Sequence, residues 1–221
     1  MKLYYIVGSP NCRKVLAVIN HLGIDVEIEY LDFFTGDLRE TSYLALNPNG
    51  MVPALRDGDF SLSESNAIMQ YLADKTPGQT LFPREPKARA DVVRWQCWEL
   101  AHFNKAFGVL AFETVAKRDL MHQEPDAAKV RISQEELARF APVLDAHLDG
   151  RRYAVGDDIT LADYSFIHLE PFQSLVPFDW SRYPHLNAYF ERMRAVPHWA
   201  KTAPPSIEAV GRRPAGVRHG L

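Results

Sequence analysis

The segment MKLYYIVGSPNCRKVLAVINHLG, residues 1–23, changes its periodicity at Gly8. Residues 2 to 7 are nearly all apolar, which suits a short strand buried on both faces. Ser9 is a favoured N-cap and Pro10 suits the first helical position. Val15, Leu16, Ile19 and Leu22 then follow at helical spacing until Gly23 stops the run. Val26, Ile28 and Tyr30 alternate as a second strand, so the chain opens with a strand, a helix and a strand.

Residues 38 to 46 read as a further helix. NPNG then leads into MVPAL, the turn DGD and FSL, two short strands with Pro53 at the start of the first. SESNAIMQYLAD follows as a helix whose apolar face is Ala67, Ile68, Tyr71 and Leu72. The order is β α β α β β α, and TPGQTLFP has the composition of a linker. Beyond residue 85 helical patterns take over. Val93, Cys97, Leu100, Phe107 and Ala111 mark a first long helix and its core stripe. Leu137, Phe140, Leu144 and Leu148 mark a second, in which Pro142 costs a hydrogen bond and is expected to place a kink, ended by Gly150. Leu186, Tyr189, Phe190 and Met193 form a later stripe, and a Pro-, Gly- and Arg-rich tail follows Lys201. The expected division is an α/β domain over residues 1–78, an all-α domain over 86–200 and a tail over 201–221.

Composition narrows the classes of function. With 221 residues, 47% hydrophobic, the chain can bury a substantial core. A net charge of −3 gives no general attraction to nucleic acid or to anionic membranes. Residues 1 to 80 carry Lys2, Arg13, Lys14, Arg39, Arg56 and Lys75 against ten acids, so an anionic ligand there needs local donors. No stretch is long and apolar enough to span a membrane, the start does not read as a signal peptide, and two cysteines are too few for a disulfide scaffold. A cytoplasmic protein is expected. The eight histidines lack ligand spacing, so no metal is expected, and no glycine-rich phosphate loop occurs.

Three motifs carry chemistry. In S-P-N-C, at the junction of strand and helix, the unpaired N–H groups of the first turn and the positive end of the dipole can hold a thiolate. Ser9 either caps this helix or also donates a hydrogen bond to a ligand's sulfur. Cys12, one turn in, reads as a packed small hydrophobe. In NPNGMVPAL, a cis bond before Pro53 would leave the Val52 N–H and C=O open to pair with a peptide-like ligand. In SLSESNAI, Glu64 and Ser65 at a helix start can read an amino-acid zwitterion or simply cap the helix.

Taken together, MKLYYIVGSPNCRKVL, NPNGMVPAL and SLSESNAIMQYL resemble the glutathione transferase superfamily over almost the whole chain. The resemblance implies an α/β thioredoxin-like N-terminal domain that binds glutathione as co-substrate, followed by an all-α helical C-terminal domain. Similarity to the delta and theta-like classes implies Ser9 as the thiol-activating residue, Pro53 in cis with Val52 pairing the cysteinyl backbone, and Glu64 and Ser65 as the γ-glutamyl anchor. S-P-N is also similar to the T-P-N of bacterial nu-type members, which makes Asn11 a second catalytic candidate. At Gly50 the chain departs from delta-type relatives, which usually offer a histidine near the glycyl carboxylate. VGDDITLADYSF looks like the family's buried capping box, with Thr160 as N-cap and Asp163 reaching back, a structural role. Cys97 is likewise assigned to the core.

The pocket for the second substrate, an electrophile or a peroxide, is expected from Phe103, Phe107 and Phe112, with Trp199 a further candidate. The leading expectation is a homodimeric transferase that ionises the glutathione thiol and adds it to an electrophile. A glutathione-dependent disulfide reductase or peroxidase, and a non-catalytic partner-binding module of the same fold, are the alternatives.

Overall fold

The computed structural model describes residues 1 to 217; the last four positions of the tail lie outside the described residues. The chain divides into two compact units, Met1–Phe82 with Val196–Leu221, and Pro83–Ala195. The first is thioredoxin-like and the second is helical. No helix among the described residues is long and apolar enough to cross a membrane.

In the first unit β1 (Lys2–Tyr5), α1 (Pro10–Leu22), β2 (Glu27–Tyr30), α2 (Thr41–Leu46), β3 (Ala54–Asp57), β4 (Phe60–Leu62) and α3 (Ser65–Lys75) follow in order. The sheet order is β2-β1-β3-β4, with β1 parallel to β2 and the other pairs antiparallel. α2 covers the sheet face of Tyr4 and Ile6 through Tyr43, whose ring meets that of Tyr4 edge-on at 5.7 Å. α1 and α3 pack against each other. α1 begins and ends as its sequence dictates: Ser9 caps it, Pro10 starts it, and Gly23 closes it at φ 63, a left-handed turn that glycine adopts without a steric penalty.

α3 differs from its expected face. Met69 and Ala73 join Ile68 and Leu72 in the core, while Ala67 and Tyr71 are only half-buried. The Tyr71 hydroxyl donates to Asp57 at 2.7 Å, a polar partner that draws it to the rim.

The second unit contains α4 (Pro86–Trp98), α5 (Asn104–Ala111), α6 (Ala127–Leu148), α7 (Leu161–Ile167) and α8 (Pro184–Arg194). Two π-wound stretches, Glu99–Phe103 and Phe112–Leu120, flank α5. Through the first π-wound stretch and α5 the buried positions are Glu99, Phe103, Ala106, Phe107, Leu110 and Ala111. Upstream, Val92, Trp95 and Gln96 point inward instead of the expected Val93 and Cys97. Cys97 is exposed, which corrects its assignment to the core. Asp163 and Thr160 form the expected capping box at the start of α7.

The segment after Val196 belongs to the first unit. There α9 (Pro197–Ala200) places Trp199 under the Arg13 guanidinium, 4.0 Å from the ring centroid, and Arg13 Nε donates to Thr202 Oγ1 at 3.2 Å. These contacts explain how an arginine in α1 is buried.

Candidate active site

β1 delivers the chain to Ser9 through a turn in which the Ser9 N–H donates to the Ile6 carbonyl at 3.1 Å and Gly8 takes φ 77. Ser9 Oγ accepts from the Cys12 N–H at 3.5 Å, a long capping bond that engages a lone pair and leaves the hydroxyl hydrogen to donate elsewhere. Capping therefore does not by itself use up the donor capacity of this side chain. No acid stands in the first turn of α1 or of α3; at α3 the only acid beside the positive end is the N-cap residue Glu64.

Cys12 has no exposed surface, and burial pushes its thiol up to about 12, opposed by the Ile6 backbone and the Ser9 side chain. It is packed and protonated at neutral pH. A nucleophilic sulfur at this junction has to arrive with a ligand.

Asn11 and Ser65 meet although 54 residues separate them: Ser65 Oγ donates to Asn11 Oδ1 at 3.2 Å. This bond joins the starts of α1 and α3. Ser65 is buried, and Glu64 before it holds φ 66 and ψ 109, a costly backbone conformation for a non-glycine residue. Glu64 makes no side-chain capping bond, and its side chain is exposed. Both α3 residues thus stand at the mouth of the helix start.

The Val52–Pro53 bond is cis. β3 runs antiparallel to β1 with Ala54 opposite Tyr4, so Pro53 and Val52 continue alongside the end of β1 from which Ser9 leaves. The approach is fixed by side chains that sequence reading did not single out. The Met51 carbonyl accepts from the Tyr43 hydroxyl at 2.6 Å and from Asn47 Nδ2 at 2.7 Å, and Asn47 Oδ1 accepts from the Asn49 N–H. Asn47 is followed by proline and glycine, a composition whose turn-forming habit was the available signal. Gly50 sits at φ 60, and a Cβ there would lie 3.1 Å from the Leu38 carbonyl oxygen, so this position admits no larger side chain without movement. Among the described residues, the Val52 N–H and C=O have no hydrogen-bond partner.

Of the residues expected to bind the second substrate, Phe103 and Phe107 are fully buried and stack on each other at 6.0 Å within the helical unit, whereas Phe112 is 44% exposed. Trp199 is buried under Arg13 in the other unit. Among the described residues no three His, Cys, Asp or Glu side chains gather as a metal site.

Comparisons with known proteins place the chain in a family. Residues 3–80 match a family model described as "Glutathione S-transferase, N-terminal domain", and residues 104–197 match "Glutathione S-transferase, C-terminal domain". The chain is 37% identical to "Glutathione S-transferase 3" of Zea mays over 95% of this chain and 99% of that one. Among solved structures it resembles glutathione transferase F7 from Populus trichocarpa, with 28% identity, a TM-score of 0.83 and coverage of 91% and 96%. It also resembles a glutathione S-transferase-I solved with lactoylglutathione, with 29% identity, a TM-score of 0.80 and coverage of 91% and 97%. These relatives are plant F-type, or phi-class, enzymes, which corrects the expected placement beside the delta, theta and nu groups. With both halves matched, the chain belongs to the glutathione S-transferase family.

Proposed function

We propose that the protein binds glutathione along the first unit, ionises its thiol beside Ser9, and transfers the thiolate to an electrophilic substrate. The observation that carries this reading is the Asn11–Ser65 bond, which brings two helix starts together in the unit that also holds the cis Val52–Pro53 bond. The α3 start with Ser65 receives the γ-glutamyl carboxylate, Glu64 the ammonium group, and the Val52 backbone the cysteinyl peptide. The thiol then reaches the start of α1.

There the Ser9 hydroxyl donates to the sulfur, and the amides of the first turn favour negative charge on it. The thiol proton leaves to solvent, the sulfur attacks the electrophile, a carbon–sulfur bond forms, and any leaving group departs. A thiol of ordinary pKa, about 8.5, is mostly protonated at neutral pH, so lowering it by about two units raises the thiolate fraction more than tenfold. Interactions that favour thiolate over thiol accelerate the reaction, whereas equal binding of both does not.

The exposed Phe112 is the aromatic available to an electrophile on the helical unit. Met51 and Phe60 on the first unit, 68% and 49% exposed, support a homodimer that buries apolar surface. Two unpaired cysteines and a thiol co-substrate suit the cytoplasm.

The test is Ser9→Ala. Turnover in conjugation should fall about 10²-fold, the scale of one lost anion-stabilising donor. The bound thiol's pKa should rise while the glutathione dissociation constant moves far less. An active Ser9→Ala enzyme with an unchanged thiol pKa, together with a dead Cys12→Ala enzyme, would overturn the proposal.

A further inference from the structure

The turn that carries Ser9 is braced from the far end of the chain. Gly211 sits at φ 81 and its backbone bridges two segments: its N–H donates to the Val7 carbonyl at 2.9 Å, and its carbonyl accepts from the Phe33 N–H at 2.7 Å. One residue earlier, both Val210 methyl carbons lie where a Cβ on Gly8 would stand, 2.9 Å away, so the isopropyl group rests on the backbone immediately before Ser9. Two residues later Arg213 locks the strap down. Its N–H donates to Asp32 Oδ2 at 3.1 Å, its Nε to the Tyr30 carbonyl at 3.0 Å, and its guanidinium pairs with Asp37. Asp37 is itself held by the Asp32 N–H and the Thr35 hydroxyl. The Arg212 guanidinium lies over the Phe34 ring at 4.7 Å.

From this we propose that residues 207 to 213 form a positioning strap for catalysis: Val210 and Gly211 hold the Val7–Gly8–Ser9 turn so that the Ser9 hydroxyl meets the glutathione sulfur. The inference rests on the role of Ser9 proposed above. Its physical ground is that Gly8 is intrinsically free to move, since a left-handed glycine has several accessible backbone states. The Val210 side chain and the Gly211–Val7 bond remove that freedom from outside the turn. The strap touches none of Asn11, Val52, Glu64 or Ser65 in any hydrogen bond of the described residues, so it acts on the thiol end and leaves the γ-glutamyl end alone. A donor displaced by a fraction of an ångström still permits binding but loses much of its advantage for the thiolate.

The experiment uses the full chain with Gly211→Val and, separately, Arg213→Ala, each also placed in a Ser9→Ala background. A Cβ at Gly211 would lie 2.8 Å from the Phe34 ring, so Gly211→Val pries the strap away, while Arg213→Ala loosens it more gently should the first variant fold poorly. The readouts are kcat and KM for glutathione and the pKa of the bound thiol, followed by thiolate ultraviolet absorbance. In folded variants kcat should fall about tenfold and the bound thiol's pKa rise by about one unit, with KM for glutathione changed less than about threefold. In the Ser9→Ala background the same substitutions should add almost nothing, because the group they position is gone. If Ser9→Ala raises the thiol pKa but neither strap variant does, the strap has no positioning role and the inference fails alone. Full, additive losses in the Ser9→Ala background would also overturn it. If Ser9→Ala itself leaves the thiol pKa unchanged, the reading of Ser9 fails first.

Discussion

Asp163→Ala should cost far more than the loss of a helix cap. A cap alone is worth about 0.5–2 kcal/mol. Asp163, however, is fully buried and its carboxylate gathers four donors: the Thr160 N–H at 2.8 Å, the Thr160 hydroxyl at 3.1 Å, the Ala154 N–H at 2.8 Å and the Tyr189 hydroxyl at 2.9 Å. It thereby ties the start of α7 to the loop before it and to α8. Burial pushes the Asp163 carboxyl up and the four donors pull it back down; alanine leaves those donors without an acceptor, and truncating one side of such a buried network costs about 3–5 kcal/mol. At roughly 2–4 °C per kcal/mol for a chain of this size, the thermal midpoint should fall by about 10 °C. Tyr189→Phe alone should cost about 1.5–3 kcal/mol, the worth of one hydrogen bond to a charged group, and almost nothing once Asp163 is alanine. Scanning calorimetry of the two single variants and the double variant measures both quantities. A fall below about 2 °C for Asp163→Ala, or additive effects in the double variant, would refute the network argument, and a large loss of glutathione affinity in the folded variant would refute its purely structural role.

Other outcomes follow from the same geometry. A thiol-reactive probe should label the exposed Cys97 and spare Cys12 until the protein unfolds; rapid modification of Cys12 in the folded protein, read by peptide mapping, would contradict its burial. Asn11→Ala should lose the link to Ser65; a drop in disulfide or peroxide turnover as large as that of Ser9→Ala, with conjugation little affected, would favour those substrates over electrophiles. Gly50→Ala should destabilise by more than about 1 kcal/mol and raise the glutathione KM, because the added Cβ presses on the Leu38 carbonyl and shifts Val52; an unchanged KM would separate that turn from binding. Glu113 is buried and is held below the ordinary glutamate range first by the Asp126 N–H and then by Lys117. Its contribution is present above the unfolded value near 4.5 and is lost as pH falls through the folded one, so the destabilisation by Glu113→Gln should shrink between neutral pH and about pH 3; a constant difference in thermal midpoint across that range would contradict it.

The parts of the fold that were legible from sequence are those whose causes are local. Ser9, Pro10 and Gly23 bound α1 because capping, a fixed φ and left-handed freedom are properties of single residues. The order β α β α β β α followed from changes of period within short windows. What escaped depends on partners distant in sequence. Gln96 is buried because its Nε2 donates to Ser165 Oγ at 3.0 Å, and a hydrophobic stripe has no place for such a residue, so the inward face of α4 was set wrongly and Cys97 was assigned to the core. Phe103 and Phe107 show the same limit from the other side. An aromatic residue at helical spacing looks alike whether it faces a ligand or a core, and only burial separates the two.

The candidate site divides along the same line. Each motif at Ser9, Val52 and Glu64–Ser65 was visible as a local pattern compatible with ordinary capping or turn formation. Their convergence rests on the Ser65–Asn11 bond and on the antiparallel pairing of β3 with β1, neither of which any one motif contains. The strap goes further still. Gly211, within the Pro-, Gly- and Arg-rich tail, is required there for its left-handed backbone and for the missing Cβ that lets Phe34 approach. A glycine 203 residues after Gly8 thus completes the turn that Gly8 begins, and a substitution at either one should be felt at the hydroxyl between β1 and α1.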